Sequence, residues 1–488
     1  MKVIEKFADE VIAAGSFEPL DRVYLINKIR ALVGDHEEDA SGSLPAAKQL
    51  VDLAVRNKKI ADDQTSREVL NDQLYDLMTP VPSRVNYLFW QKMQESSKEA
   101  TSWFYDLCVR NNYVKKEAIA KNIVFDGTGK NGHELEITIN LSKPEKDPKD
   151  IAAAAHDTGK KYPKCALCLE NEGYLGGYGK NARSNLRIIR MTIAGKPWGF
   201  QYSPYAYFNE HCIFLDQKHE PMKINEQTLI NLVDIEKQLP EYFVGSNADL
   251  PIVGGSMLAH EHYQGGRHVF PMMKAAIKQK VEFASYPDVD AGIVDWPMSD
   301  LRLRSENTSA LINLGTQIIK IWDHYDDEKR QIKAFVGKTP HHTVTPIMHR
   351  EGEKFVLDLV LRDNNTTDKY PLGIFHPHQD LWHIKKENIG LIEVMGRAIL
   401  PGRLKAELEE VKKYWLGESN DMAESHLAWA KAIKEEHKID AGNVDQVMQQ
   451  AVVDVFERVL QDAGVFKNDE DGEQGWKLFI NALKEDID

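Results

Sequence analysis

The chain has 488 residues, with 61 Lys and Arg against 75 Asp and Glu, so its formal net charge is −14. An acidic chain without a basic run repels a polyanion, which excludes nucleic acid as a partner, and no apolar run approaches the ~18 residues that span a bilayer, which excludes a transmembrane helix. Four cysteines in this length cannot form a disulfide framework; the first ten residues mix charges from Lys2 onward and predict no signal peptide, so the expected setting is cytoplasmic with reduced thiols.

In chain order, residues 1–121 predict a helical region, because segments such as 17–29 place apolar residues at three-to-four spacing with charges between them. From Asn122 the period changes to two: residues 122–125 and 134–141 alternate as half-buried strands do, and 126–132, with three glycines, is turn chemistry. The lysine-rich, acidic stretch 143–161 reads as an exposed loop with a short helix. Strands are expected across 186–216 and a helix around 225–238. These belong to a first β-rich half, residues 122–280. A second half, 281–402, includes the strand-like 354–362. Residues 403–488 return to helical periodicity. The expected class is α+β, laid out as helical, β-rich, β-rich, helical.

Chemistry concentrates in His260-Glu261-His262-Tyr263-Gln264, between the glycine pairs Gly254-Gly255 and Gly265-Gly266. In a strand, His260, His262 and Gln264 share one face about 6–7 Å apart, whereas a helix would put the histidines on nearly opposite sides. Two imidazoles and an amide on one face, between turns where backbone N–H groups can approach an anion, suit a phosphate-handling site. Cys165-Ala166-Leu167-Cys168 is a knuckle that can present two sulfurs to a tetrahedral ion, zinc above all, with His219 and His260 as the best further ligands; redox and packing roles stay open for an isolated pair. Cys108 and Cys212 have no spaced partner and are expected to be buried thiols. A third cluster, His376-Pro377-His378 with His341 upstream, reads either as a second metal site, completed by Glu282, or as an exposed histidine-bearing loop.

Residues 249–266 resemble, over eighteen consecutive positions, the signature of the second class of galactose-1-phosphate uridylyltransferases. Residues 162–174, 371–378 and 384–396 are similar to the same family, in the same order. The resemblance implies two histidine-triad-like antiparallel β-rich halves, a homodimer, and no organic cofactor. It implies a ping-pong exchange in which UDP-glucose and galactose 1-phosphate give glucose 1-phosphate and UDP-galactose. Carried over by motif, His262 is the nucleophile, and Cys165, Cys168, His219 and His260 fall where the other class holds zinc. The second site, His341, His376, His378 and Glu282, would take iron or zinc. Ser256, Asn185, Arg187 and Asn209 fall in nucleotide-gripping segments, and Glu393 falls in the sugar-hydroxyl stretch. Lys180 and Arg183 would steer a dianionic substrate. Glu261 and Tyr263 depart from the Pro and Gly of the other class.

Neutral imidazole is a good nucleophile at pH 7, and it is better aimed if a backbone carbonyl accepts the N–H of its other nitrogen. Gln264 replaces the third histidine of the histidine-triad hydrolases; a neutral amide can bond a phosphate oxygen without adding a titrating proton. Two other readings compete: a histidine-triad phosphorylase or hydrolase of dinucleoside polyphosphates, and a zinc-stabilised nucleotide-binding module without turnover.

Overall fold

A computed structural model describes residues 1–42, 44–142, 162–255 and 257–488. The expected loop at 143–161 and Ser256 lie outside the described residues. Fifteen strands are found among them: β1 (Ile123–Thr128), β2 (Glu134–Ile139), β3 (Ile189–Ile193), β4 (Lys196–Tyr202), β5 (Cys212–Asp216), β6 (Phe243–Gly245), β7 (His262–Gly266), β8 (Ile277–Val281), β9 (Asp290–Val294), β10 (Asp300–Ser305), β11 (Phe335–Val336), β12 (Thr339–Pro340), β13 (His342–Glu351), β14 (Lys354–Asp363) and β15 (Arg397–Leu400). The chain divides into two compact units that interleave along the sequence: Met1–Ala118, Lys143–Ala206 and Cys212–His219 form one, and Ile119–Ser142, Tyr207–His211 and Glu220–Asp488 form the other. The architecture is α+β, with the helical and β-rich stretches in the expected order.

In the first unit, helices Val3–Ala13, Arg22–Val33, Ala46–Arg56 and Gln64–Leu77 bury one apolar stripe each around Ile4, Phe7, Ile29, Leu50 and Leu74. Local chemistry sets where the helices start. Asp63 accepts from Ser66 N–H and Ser96 from Glu99 N–H, each satisfying an orphan donor of a first turn. Strands β3, β4 and β5 are antiparallel neighbours, with Ile189 opposite Phe200 and Trp198 opposite Asp216. Period-two placement of Phe200 and Tyr202 in β4 puts both rings in an aromatic cluster with Phe104 from helix Ser97–Arg110 and Phe214 from β5, at centroid distances of 5.2–5.6 Å.

In the second unit, β7-β6-β13-β14-β10-β9-β8 are successive neighbours and every pairing is antiparallel. The long hairpin β13–β14 pairs His342 with Asp363 at one end and Glu351 with Lys354 at the other, so its loop is two residues; Gly352 takes φ 60° there, which a side chain would resist. A separate sheet runs β1-β2-β15, with β15 parallel to β2. The C-terminal helices complete this unit's core rather than trailing from it. Val452, Phe456 and Leu460 of helix Val444–Ala463 are buried with Ile137, Ile139 and Leu400. The glycines expected only to make a turn serve this packing: a Cβ on Gly127 would lie 2.7 Å from Val453 Cγ2.

A buried ion pair fastens the segment that follows β7. Arg302 donates to Asp358 Oδ1 at 2.5 Å and Oδ2 at 3.3 Å, and to the carbonyls of Met272 (2.9 Å), Met273 (3.3 Å) and Ala275 (3.2 Å). Burial alone would raise the Asp358 carboxyl, but the Arg302 charge and hydrogen bond together with the His349 ring outweigh it and hold the group down at about 2. With its donors committed, the pair satisfies backbone groups that a turn would otherwise bury unpaired.

Candidate active site

Strand β7 begins at His262, so His260 sits two residues before it rather than within it. The local sequence explains the geometry. Gly265 and Gly266 pair with Val244 and Phe243 of β6, and Gly266 takes φ 150°. A Cβ on Gly266 would meet Glu210 O and Phe208 Cε2, each at 2.7 Å, so only glycine lets residues 208–210 lie against the strand. Upstream, polar groups at and just before its start pin the signature. Asp249 accepts from Ile224 N (2.9 Å) and Thr343 Oγ1 (2.6 Å), and Asn247 Oδ1 accepts from Leu391 N at 2.9 Å.

His262 is 6% exposed, and its Nδ1 lies 2.7 Å from the carbonyl oxygen of His260. The contact makes Nδ1–H the donor and Nε2 the lone-pair nitrogen, which is the aim a nucleophile needs. Burial, opposed by that bond, pushes the ring's pKa down to about 4. Gln264 is the next residue on this face, and its Oε1 lies 3.0 Å from Nε2 of His211, a residue that no motif in the sequence singles out.

The two departures from the other class lock the strand from behind. Tyr263, fully buried on the opposite face, donates its hydroxyl to Glu261 Oε1 at 2.7 Å and accepts from Asn231 Nδ2 at 2.9 Å, on helix Glu226–Gln238. Glu261 Oε2 accepts from Lys223 N at 3.0 Å, and Glu261 N–H donates to Glu220 O at 2.7 Å. Both faces of β7 therefore carry polar side chains, His262 and Gln264 on one and the anchored Tyr263 on the other.

In the first unit, Cys165 Sγ and Cys168 Sγ lie 3.5 Å apart, and His219 Nδ1 lies 3.2 Å from Cys168 Sγ. Ligands about 2.3 Å from a tetrahedral ion sit ~3.8 Å from one another, so two thiols and an imidazole at these spacings fit a Cys/His metal cluster. His260 is buried in the second unit, and Cys108 and Cys212 are buried, as expected.

Other expected site residues have different company. Arg187 is buried and its guanidinium donates to Asp76 (2.6 Å) and to the carbonyls of Pro80, Thr79, Ser184 and Leu186, which leaves no donor for a nucleotide. Asn185 donates to Asn111 O and accepts at its backbone from Asn111 Nδ2, both at 2.8 Å. Arg183 donates to Ala182 O (3.1 Å), and Lys180 to Pro163 O (2.9 Å). Asn209 is exposed beside buried Glu210. Glu393 is buried, pairs with Lys385 and caps Gly390 N–H at 2.9 Å.

The second histidine cluster does not assemble into a ligand group among the described residues. His341 Nδ1 meets Asn364 Oδ1 at 2.6 Å, His376 Nδ1 meets Pro377 O at 3.1 Å, and Glu282 is exposed. His378 is engaged at both nitrogens, by Ile374 O at 3.0 Å and Asp462 Oδ2 at 3.3 Å. His378, with both nitrogens engaged, is not poised to ligate, whereas the bonds named for His341 and His376 each engage one nitrogen.

Residues 15–221 match the family description "Galactose-1-phosphate uridyl transferase, N-terminal domain", and residues 235–431 match its C-terminal domain. The chain belongs to the galactose-1-phosphate uridylyltransferase family. It is 77% identical to the galactose-1-phosphate uridylyltransferase of Lactobacillus helveticus over all of both chains. It is 56% identical to that of Lacticaseibacillus paracasei over 99% of this chain and all of the other. Among solved structures, a yeast Ap4A phosphorylase in complex with Ap4A aligns with 61% of this chain and 88% of its own, at 11% identity and a TM-score of 0.34. The glycine-framed strand with a backbone-oriented imidazole is therefore a feature of a family member, and no helix among the described residues is long and apolar enough to cross a membrane.

Proposed function

We propose that His262 is the nucleophile in an exchange of UMP between UDP-glucose and galactose 1-phosphate. The Nε2 lone pair attacks the α-phosphorus of UDP-glucose, the phosphorus–oxygen bond to glucose 1-phosphate breaks, and that anion leaves with the electron pair. The uridylyl group, now on an imidazolium nitrogen, passes to galactose 1-phosphate by the reverse displacement and gives UDP-galactose. Sugar phosphates are anions of low basicity, so no strong general acid is needed.

The observation that carries this reading is the His262 Nδ1–H donated to the His260 carbonyl. It fixes the tautomer before substrate arrives, and it stabilises the positive charge that develops on the ring during attack. Gln264, on the same face, bonds a non-bridging oxygen of the transferred phosphate. Asn209 and Glu393 are assigned to nucleotide and sugar contacts. Zinc fits Cys165, Cys168 and His219, and the family resemblance names His260 as the fourth ligand; when bound, zinc would tie its ligands into one structural cluster. The family resemblance supports a cytoplasmic homodimer, to be checked by light scattering.

The test is isotope exchange. Wild-type protein should carry labelled glucose 1-phosphate into UDP-glucose and yield a uridylylated peptide containing His262, and His262→Gly should do neither. Equal exchange by both proteins sinks the assignment.

A further inference from the structure

His211 lies on none of the sequence motifs, yet it is buried against the strand that carries the nucleophile. Its ring stacks on Tyr207 and packs at a tilt against Phe208, at centroid distances of 5.7 and 4.5 Å, in the segment that Gly266 admits to β7. One nitrogen, Nε2, faces Gln264 Oε1 at 3.0 Å; the other, Nδ1, is buried without a hydrogen-bond partner.

We propose that His211 is a positioning residue for uridylyl transfer: its Nε2–H donates to Gln264 Oε1 and so fixes the amide with its two N–H donors available to the phosphate. The inference rests on the reading that His262 and Gln264 form the transfer site.

The proton's place follows from burial. Desolvation pushes the ring's pKa down to about 4, against the Gln264 bond and with help from the Arg397 charge, so the ring is neutral and carries one N–H. A proton on Nδ1 would be a buried donor with no acceptor, whereas a lone pair there is the cheaper unpartnered group. The proton therefore belongs on Nε2, where Gln264 accepts it. This settles which end of the amide faces His211. With its oxygen held, Gln264 offers nitrogen to an anionic oxygen; turned over, it would aim a carbonyl at a phosphate and repel it. An amide cannot choose its orientation from its own shape, so the imidazole chooses for it.

Phe substituted for His211 keeps the ring stack and removes the donor; Gln substituted there restores an N–H near the position of Nε2. His211→Phe should lower kcat for exchange roughly tenfold, the change expected when one hydrogen bond ceases to orient a donor, with the KM for UDP-glucose little altered. It should also raise the share of uridylyl-enzyme lost to water, and His211→Gln should recover most of both. Wild-type values in His211→Phe, or equal impairment in the two variants, overturn the proposal. Should His211→Phe fail to fold, nitrogen NMR of histidine-labelled wild type decides: a proton on Nε2 whose resonance shifts in Gln264→Leu supports the proposal, and a proton on Nδ1 overturns it. Gln264→Leu separates the two levels of the reading. Unchanged exchange in that variant sinks the site itself, whereas a damaged Gln264→Leu beside an intact His211→Phe sinks only the role of His211.

Discussion

His260-Glu261-His262 and His376-Pro377-His378 carry the same spacing, yet the molecule gives their rings different company. At His262 one ring nitrogen donates to the carbonyl of His260 and leaves the other as a lone pair. At His378 a carbonyl and a carboxylate engage both nitrogens, and the ring stacks on Tyr370 at 4.3 Å. The number of nitrogens already spent, which spacing alone does not report, separates the proposed reagent from a ring engaged at both nitrogens.

That contrast can be broken by substitution. The largest effect is expected at the proposed nucleophile: His262→Gly should cut exchange by on the order of 10⁴-fold or more, while His378→Asn should stay within a few-fold of wild type in the same assay. Comparable losses at both positions would erase the distinction.

Metal content sharpens the same comparison. Cys168→Ser should strip zinc from the purified protein and lower its thermal midpoint, because a ligand set lost is folding free energy lost. His376→Asn should leave the zinc content unchanged, as read by elemental analysis.

The fastening behind β7 comes next in size. Arg302→Met leaves Asp358 buried without its partner and frees the carbonyls of residues 272–275, which should cost about 3–5 kcal/mol in urea unfolding. A loss under ~1 kcal/mol would mean that the pair is not what holds that segment.

The smallest effect concerns pH. His383, downstream of the second cluster, donates Nδ1–H to Asp380 O at 2.9 Å and meets the buried ring of His426 edge-on at 5.3 Å. Burial, and then the His426 ring, push its pKa down to about 4. A folded-state value below the unfolded ~6.5 means that the unfolded chain binds the extra proton, so stability present above pH 6.5 is lost as pH falls toward 4. The share of this group reaches at most about 3 kcal/mol. His383→Leu should flatten that part of the stability profile; an unchanged slope would place the acid sensitivity elsewhere.

Much of the fold is legible in the letters because the periods are local. The alternation of 134–139 and 354–362 became β2 and β14, and the helical stripe of 403–488 became buried helix faces. What escapes is long-range. Nothing near Gly127 announces that Val453 will press on it, and Arg187, set by resemblance on the nucleotide, is claimed by carbonyls about a hundred residues upstream. His260 was expected inside the strand because alternation continues through it, but pairing with β6 begins only at Gln264. His211 is 53 residues from its partner, and its one sequence clue is its place just before the apolar run Cys212-Ile213-Phe214-Leu215.

The anchorage of Tyr263 has a consequence for anyone who would transplant this signature. In the proposed attack, bond formation at phosphorus pushes back on the His262 ring, and a five-residue ribbon resists that recoil better with its far side bolted down. Here the bolt is a phenol held between a carboxylate and an amide. Copying His262 and Gln264 onto another scaffold without that rear fixture would transfer the reagents and leave behind their rigidity.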